Sequence, residues 1–221
     1  MILTQEQEMI RDSMRAFAQE RLAPFAAEWD REHTFPAEAA FADPKHAADT
    51  AAFFVDELLR NGTTTALVFG SVHKVSVDAL FAEAYQRDMR LIAGKALMDR
   101  NAPDGLTDTV DSSRADMEQL IADWHGKGRL GYAVTPRFAI SCSDEQLAMA
   151  GEVLAAHPDV WMQTHLSENI HEIKETARLF PAAKDYLDVY DRFGLLRERS
   201  VFAHCVHLQG EAFQRLAADS T

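Results

Sequence analysis

The sequence predicts an α/β protein: an incomplete (β/α)8 barrel with about five of the eight strands, preceded by an extra N-terminal helix. Three observations carry this. From Thr63 onward, apolar β-rich runs alternate with amphipathic stretches of helical period, which implies a parallel sheet with right-handed crossovers. The runs are nearly continuous in apolar character, as strands covered on both faces are. Polar or ionisable side chains stand at or just past the C-terminal ends of the third, fourth and fifth runs: Arg137, then His165 with Glu168, then His204. Catalytic groups drawn from successive strand ends are the habit of the barrel. An open doubly wound sheet is the competing architecture, but no G-x-G-x-x-G follows the first run.

Residues 1–40 are expected to form a separate helical segment, and residues 41–221 the barrel domain. Thr4 and Gln7 make a capping box, and Leu3, Ile10, Met14 and Phe17 recur at helical spacing until Pro24 ends the helix. Glu28 to Pro36 reads as a connector. A second helix starts at Asp43-Pro44, a cap followed by proline at the first helical position, and ends at Gly62. Its buried face is expected to hold Ala47, Ala51, Phe54 and Leu58. Strands are expected at Thr65–Phe69, Arg90–Leu97, Leu130–Thr135, Val160–His165 and Val201–Cys205. Helices are expected at Val77–Gln86, Asp116–His125, Asp144–Ala156 and Ile170–Leu179. Ser76 is the expected cap of the first, and Ser143 with Gln146 a capping box for the third.

Composition bounds the function. In 221 residues, 47% are hydrophobic and 26% charged, a globular balance. A net charge of −13 without a Lys/Arg stripe argues against nucleic acid and an anionic membrane surface as partners. Cys142 and Cys205 form no CxxC pair and fit a reducing cytoplasm. Neither a signal peptide nor a membrane-spanning run is recognisable, so the expected location is cytoplasmic.

His165 and His204 each close an apolar strand. Two imidazoles from adjacent barrel strands can converge on one ion, and neutral imidazole suits zinc or iron. Glu168 follows His165 by three residues and could accept and return protons beside the site. Alone, each histidine would read as a hydrogen-bonded strand cap; the pair, with H-x-x-E, favours chemistry. The other histidines, at 33, 46, 73, 125, 157, 171 and 207, read as surface or structural, and Cys205 as a packed small hydrophobe.

Five segments together resemble guanine deaminases of the amidohydrolase superfamily, from about His33 to Thr221: Asn61–Thr65, Lys95–Pro103, Thr135-Pro136-Arg137-Phe138, Gln163–Asn169 and Phe202–Leu208. The resemblance implies a deformed barrel around one zinc, hydrolytic deamination of guanine to xanthine and ammonia by metal-bound hydroxide, and a homodimer. It also implies roles: His165 and His204 as metal ligands, Glu168 as proton shuttle, Arg137 and Phe138 as the grip on the purine. The family's first-strand H-x-H does not precede Asn61, and its eighth-strand aspartate has no counterpart. The zinc is thus expected to be incompletely ligated, and the chain to be a fragment inactive alone. Residues 1–40 resemble the opening helix of an acyl-CoA dehydrogenase, through Leu3–Gln7, Met9–Asp12 and Phe17–Trp29. The rival reading is a non-catalytic chimeric fragment; a flavin-linked dehydrogenase is a weaker third.

Overall fold

The computed structural model describes residues 36–218. The chain divides into two compact units, Met1–Glu38 and Ala39–Thr221. The expected first helix lies outside the described residues.

The described residues open with short helical turns at Pro36–Ala39 and Ala40–Ala42, then helix α1 (Pro44–Arg60). The Asp43 carboxylate accepts from the amide of His46, a cap that contributes about 1 kcal/mol. Ala47, Ala51 and Val55 form its buried face, whereas Phe54 is exposed: the face is rotated from the one expected. Gly62, at φ +82°, follows the helix end as the sequence requires.

Five βα-type repeats follow. The strands are β1 (Thr65–Phe69), β2 (Arg90–Gly94), β3 (Ala96–Leu97), β4 (Leu130–Pro136), β5 (Trp161–Leu166) and β6 (Ser200–His204). Between them run α2 (Lys74–Gln86), α3 (Val110–Trp124), α4 (Asp144–Ala156), α5 (Ile170–Leu179) and α6 (Tyr186–Arg192), with α7 (Gly210–Ala218) after β6. All pairings are parallel, in the order β1-β2-β4-β5-β6, with β3 beside β4. β3 continues the β2 run past Lys95, so the described strands make five barrel positions.

Every residue of β4 is buried, consistent with helices on one face and a closed interior on the other. Where β2 meets β4 the backbones come so close that a Cβ at Gly94 would sit 1.7 Å from the Ala133 carbonyl oxygen. Glycine is obligatory there.

The sheet is curled. Gln163 Nε2 donates to the Val68 carbonyl (2.8 Å) and to Thr135 Oγ1 (3.1 Å). In a flat sheet β5 and β1 would be three strand spacings apart, roughly 14 Å. One side chain crosses that gap, so β1 to β5 enclose a concave interior.

Several local readings need correcting. α2 is capped at His73 without a side-chain bond; Ser76 is three residues inside, where its hydroxyl donates to the His73 carbonyl and pairs with Ser71. Ser143 does cap α4, but Gln146 turns its amide to Ser113 (2.9 Å) instead of closing the box. α3 begins six residues earlier than expected because Thr109 and Ser112 form a capping box ahead of the apolar face. Lys95, inside an apolar run, is fully buried and paired with Asp108, with Asp116 at 3.7 Å. Burial raises the Asp108 carboxyl above its ordinary pKa, and the Lys95 ammonium opposes the shift.

Candidate metal and substrate site

The C-terminal ends of β4, β5 and β6 bring Arg137, Phe138, His165, Glu168 and His204 to one rim of the sheet. His165 shares a face with Gln163, two residues earlier, and so points into the concave interior. Its ring packs on Phe69, with centroids 4.4 Å apart. His204 reaches the same place by a different route. Strand alternation puts Phe202 on the helix side, against Tyr190 (5.7 Å), and would put His204 there as well. At His204 the backbone turns left-handed, φ +71°, and the imidazole stacks on His165, with centroids 5.4 Å apart and planes at 23°.

Left-handed backbone recurs at Ser167 (φ +53°) and Cys205 (φ +55°). Among the described residues, three of the six non-glycine residues with positive φ therefore stand at these two strand ends. Non-glycine residues resist this conformation, and such strain concentrates at functional sites. Cys205 packs against the core, as expected.

The His165 Nδ1 lies 2.6 Å from the Arg137 carbonyl oxygen. A carbonyl only accepts, so Nδ1 carries the proton and Nε2 keeps its lone pair for a ligand. Fixing the tautomer through the second ring nitrogen is how metal-binding histidines are commonly held. Glu168 Oε2 lies 3.5 Å from His204 Nε2. The Glu168 loop is pinned by the Glu172 carboxylate, which accepts from the amides of Glu168 (2.9 Å) and Asn169 (3.2 Å). With side chains 38% and 52% exposed, His204 and Glu168 are open to an incoming molecule.

Arg137 is part-buried, with its guanidinium 5.8 Å from the Phe138 ring centre and Nη1 3.4 Å from the Met98 sulfur. No carboxylate among the described residues pairs with it, and apart from the weak contact to the Met98 sulfur its fork of donors faces no other partner among them, which suits a planar polar ligand. The loop after it is clasped by residues 99–101. Asp99 accepts from Ser143 N (2.7 Å) and from the Ser143 hydroxyl. Arg100 donates to the carbonyls of Ala139 and Ile140 (both 3.2 Å), and Asn101 to Ile140 (2.8 Å). Asp99, Arg100 and Asn101 fall within Lys95–Pro103, and their clasping role was not readable from residue type.

His125 and His157 are structural: the first accepts from Tyr132 N and pairs with Asp159, and the second pairs with Glu118. A cavity of about 410 Å³ lies elsewhere, lined by α5, α6 and α7, and none of the five rim side chains borders it. Among the described residues no group of three or more His, Cys, Asp or Glu could hold a metal ion. No helix among them is long and apolar enough to cross a membrane.

The amidohydrolase family model matches residues 7–220, and so begins inside the segment set apart by sequence. The chain is 53% identical over 190 residues to guanine deaminase of Escherichia coli (strain K12), covering 86% of this chain and 43% of that protein. It also matches the solved structure of E. coli guanine deaminase with a TM-score of 0.83 at 52% identity, over 84% of this chain and 44% of that one. A guanine deaminase from C. acetobutylicum, solved with guanine bound in its active site, matches at a TM-score of 0.82 and 33% identity, over 90% and 46% of the two chains. The chain thus spans less than half the length of these relatives.

Proposed function

The chain belongs to the amidohydrolase family, and on that premise we propose that it acts on guanine, carrying the purine grip and part of the metal site of a hydrolytic guanine deaminase. The observation that carries this is the convergence on one rim of an arginine fork without a carboxylate partner among the described residues, a phenylalanine face beside it, two stacked imidazoles and a carboxylate.

Arg137 offers donors to the carbonyl oxygen and ring nitrogen of the purine edge, and Phe138 an apolar face for stacking. Glu168 takes a proton from the attacking water and hands it to the departing amino group, so guanine and water give xanthine and ammonia. His165 and His204 are the two ligands for the metal on which the family depends. Zinc would suit imidazole donors and, when bound, would supply a water nucleophile of lowered pKa. Two imidazoles are fewer than the three protein ligands of an ordinary catalytic zinc site. Further donors beyond the described residues are therefore required for turnover.

A segment swap tests the assignment. Residues 39–218 replace the matching stretch of the E. coli enzyme, and xanthine release is followed with zinc present. Activity that disappears with His165→Ala supports the reading. A folded, zinc-loaded chimaera without turnover would exclude it.

A further inference from the structure

We infer that the Tyr190 hydroxyl is a positioning group that couples the purine-gripping loop after β4 to the His165 end of β5; this rests on the roles proposed for Arg137, Phe138 and His165. Tyr190 lies on α6, on the helix side of the sheet, and is completely buried. Its oxygen accepts from the Ala139 amide (3.0 Å) and from Thr164 Oγ1 (3.0 Å), and donates to the His165 carbonyl (2.7 Å). A phenol has one proton and two acceptor sites, so all its capacity is used. The three partners belong to the two segments that carry the candidate chemistry. Ala139 follows Phe138 directly, and the His165 carbonyl belongs to the residue whose ring faces the site.

The ring is held on two sides, by Tyr186 (5.7 Å, 23°) and by Phe202 (5.7 Å, 49°), which fixes where the hydroxyl sits. Water cannot stand in, because Ala139 and Thr164 are also completely buried. Thr164 has a second acceptor in the Arg137 carbonyl at 3.4 Å. The Ala139 amide has no such alternative among the described residues. Loss of the hydroxyl therefore orphans the Ala139 N–H and leaves the Arg137–Phe138 loop tied to β5 only through the Arg137 carbonyl.

The experiment uses Tyr190→Phe in the 221-residue chain, read by amide hydrogen exchange and by the ring resonances of His165. The expected result is exchange at Ala139 faster by roughly ten- to a hundredfold, with shifted His165 signals and unchanged protection at Tyr132 and Val153. Unchanged exchange at Ala139, or unmoved His165 signals, overturns the inference. So does faster exchange at all three amides, Ala139, Tyr132 and Val153 alike, which would mark a purely structural role. If the variant does not fold, the unsubstituted chain decides. Its Tyr190 hydroxyl proton should exchange slowly enough to be seen, with a cross-relaxation peak to the Ala139 amide; absence of that peak overturns the coupling. None of these readouts involves guanine, so a failure of the proposed reaction leaves them to be judged separately.

Discussion

The rings of His165 and His204 stack at 5.4 Å even though strand alternation would send His204 to the other face of its sheet. A left-handed residue at the end of β6 brings them together. The chain is accordingly expected to bind one cobalt(II) or zinc ion through this pair, weakly because the described residues supply no third donor beside it. Isothermal titration should give one site, with affinity falling at least tenfold in either His165→Ala or His204→Ala. Affinity unchanged from the parent in both variants would place the ion elsewhere.

Supplied with one equivalent of zinc, the 221-residue chain should release xanthine no faster than its His165→Ala variant. Two imidazoles cannot both retain the ion and hold it in an open, defined geometry. Turnover clearly above that blank would mean that other residues complete the site.

In the chimaera, Arg137→Met should lower kcat/KM for guanine on the order of 10²-fold or more, because the purine's polar edge is left underpaired. Phe138 and the loop around it are held independently by Asp99 and Arg100, so the variant should melt near the temperature of its parent. Unaltered turnover would make Arg137 a structural residue.

Gly94→Ala should destabilise the fold by about 3 kcal/mol or more, since the new methyl meets backbone and not a movable side chain. Gly62→Ala, which meets no atom within 4 Å, should cost only about 1 kcal/mol for its left-handed backbone. Comparable melting temperatures for the two variants would contradict the close approach of β2 and β4.

Burial pushes the Cys142 thiol up to about 12. An unfolded cysteine ionises near 8.5, so the folded form holds its proton more tightly. This contribution to stability is complete below about pH 8.5 and is lost as pH rises towards 12, by up to roughly 1.4 kcal/mol per pH unit. Chemical denaturation between pH 8 and 11 should show a steeper decline for the parent than for Cys142→Ala. Alkylation at pH 8 should label the half-buried Cys205 first; prior labelling of Cys142 would show that its pocket opens readily.

The sequence exposed the strand-and-helix rhythm well because each strand run is apolar on both faces and bounded by capping residues. β1, α4 and α5 begin and end where periodicity places them. The rim residues were legible because strand ends are where a barrel puts chemistry. What escaped depends on partners distant in sequence. Lys95 looks like an interruption until Asp108 folds over it, and Ser76 looks like a cap until Ser71 claims its hydroxyl. α6 is too short for its period to be seen, so Tyr190 and its three bonds had no signal at all. The orientation of His204 depends on a backbone angle that residue type does not announce.

The bond from Gln163 to Val68 works as an internal tie rod. Strands three places apart are braced by one side chain, so the arc from β1 to β5 draws its radius from its own interior. The rim that carries Arg137 and His165 inherits that radius, and their separation is therefore set locally, whatever structure faces the open side of the arc. Removing the tie, as in Gln163→Ala, would let the arc flatten and the rim spread while leaving every residue on it chemically intact.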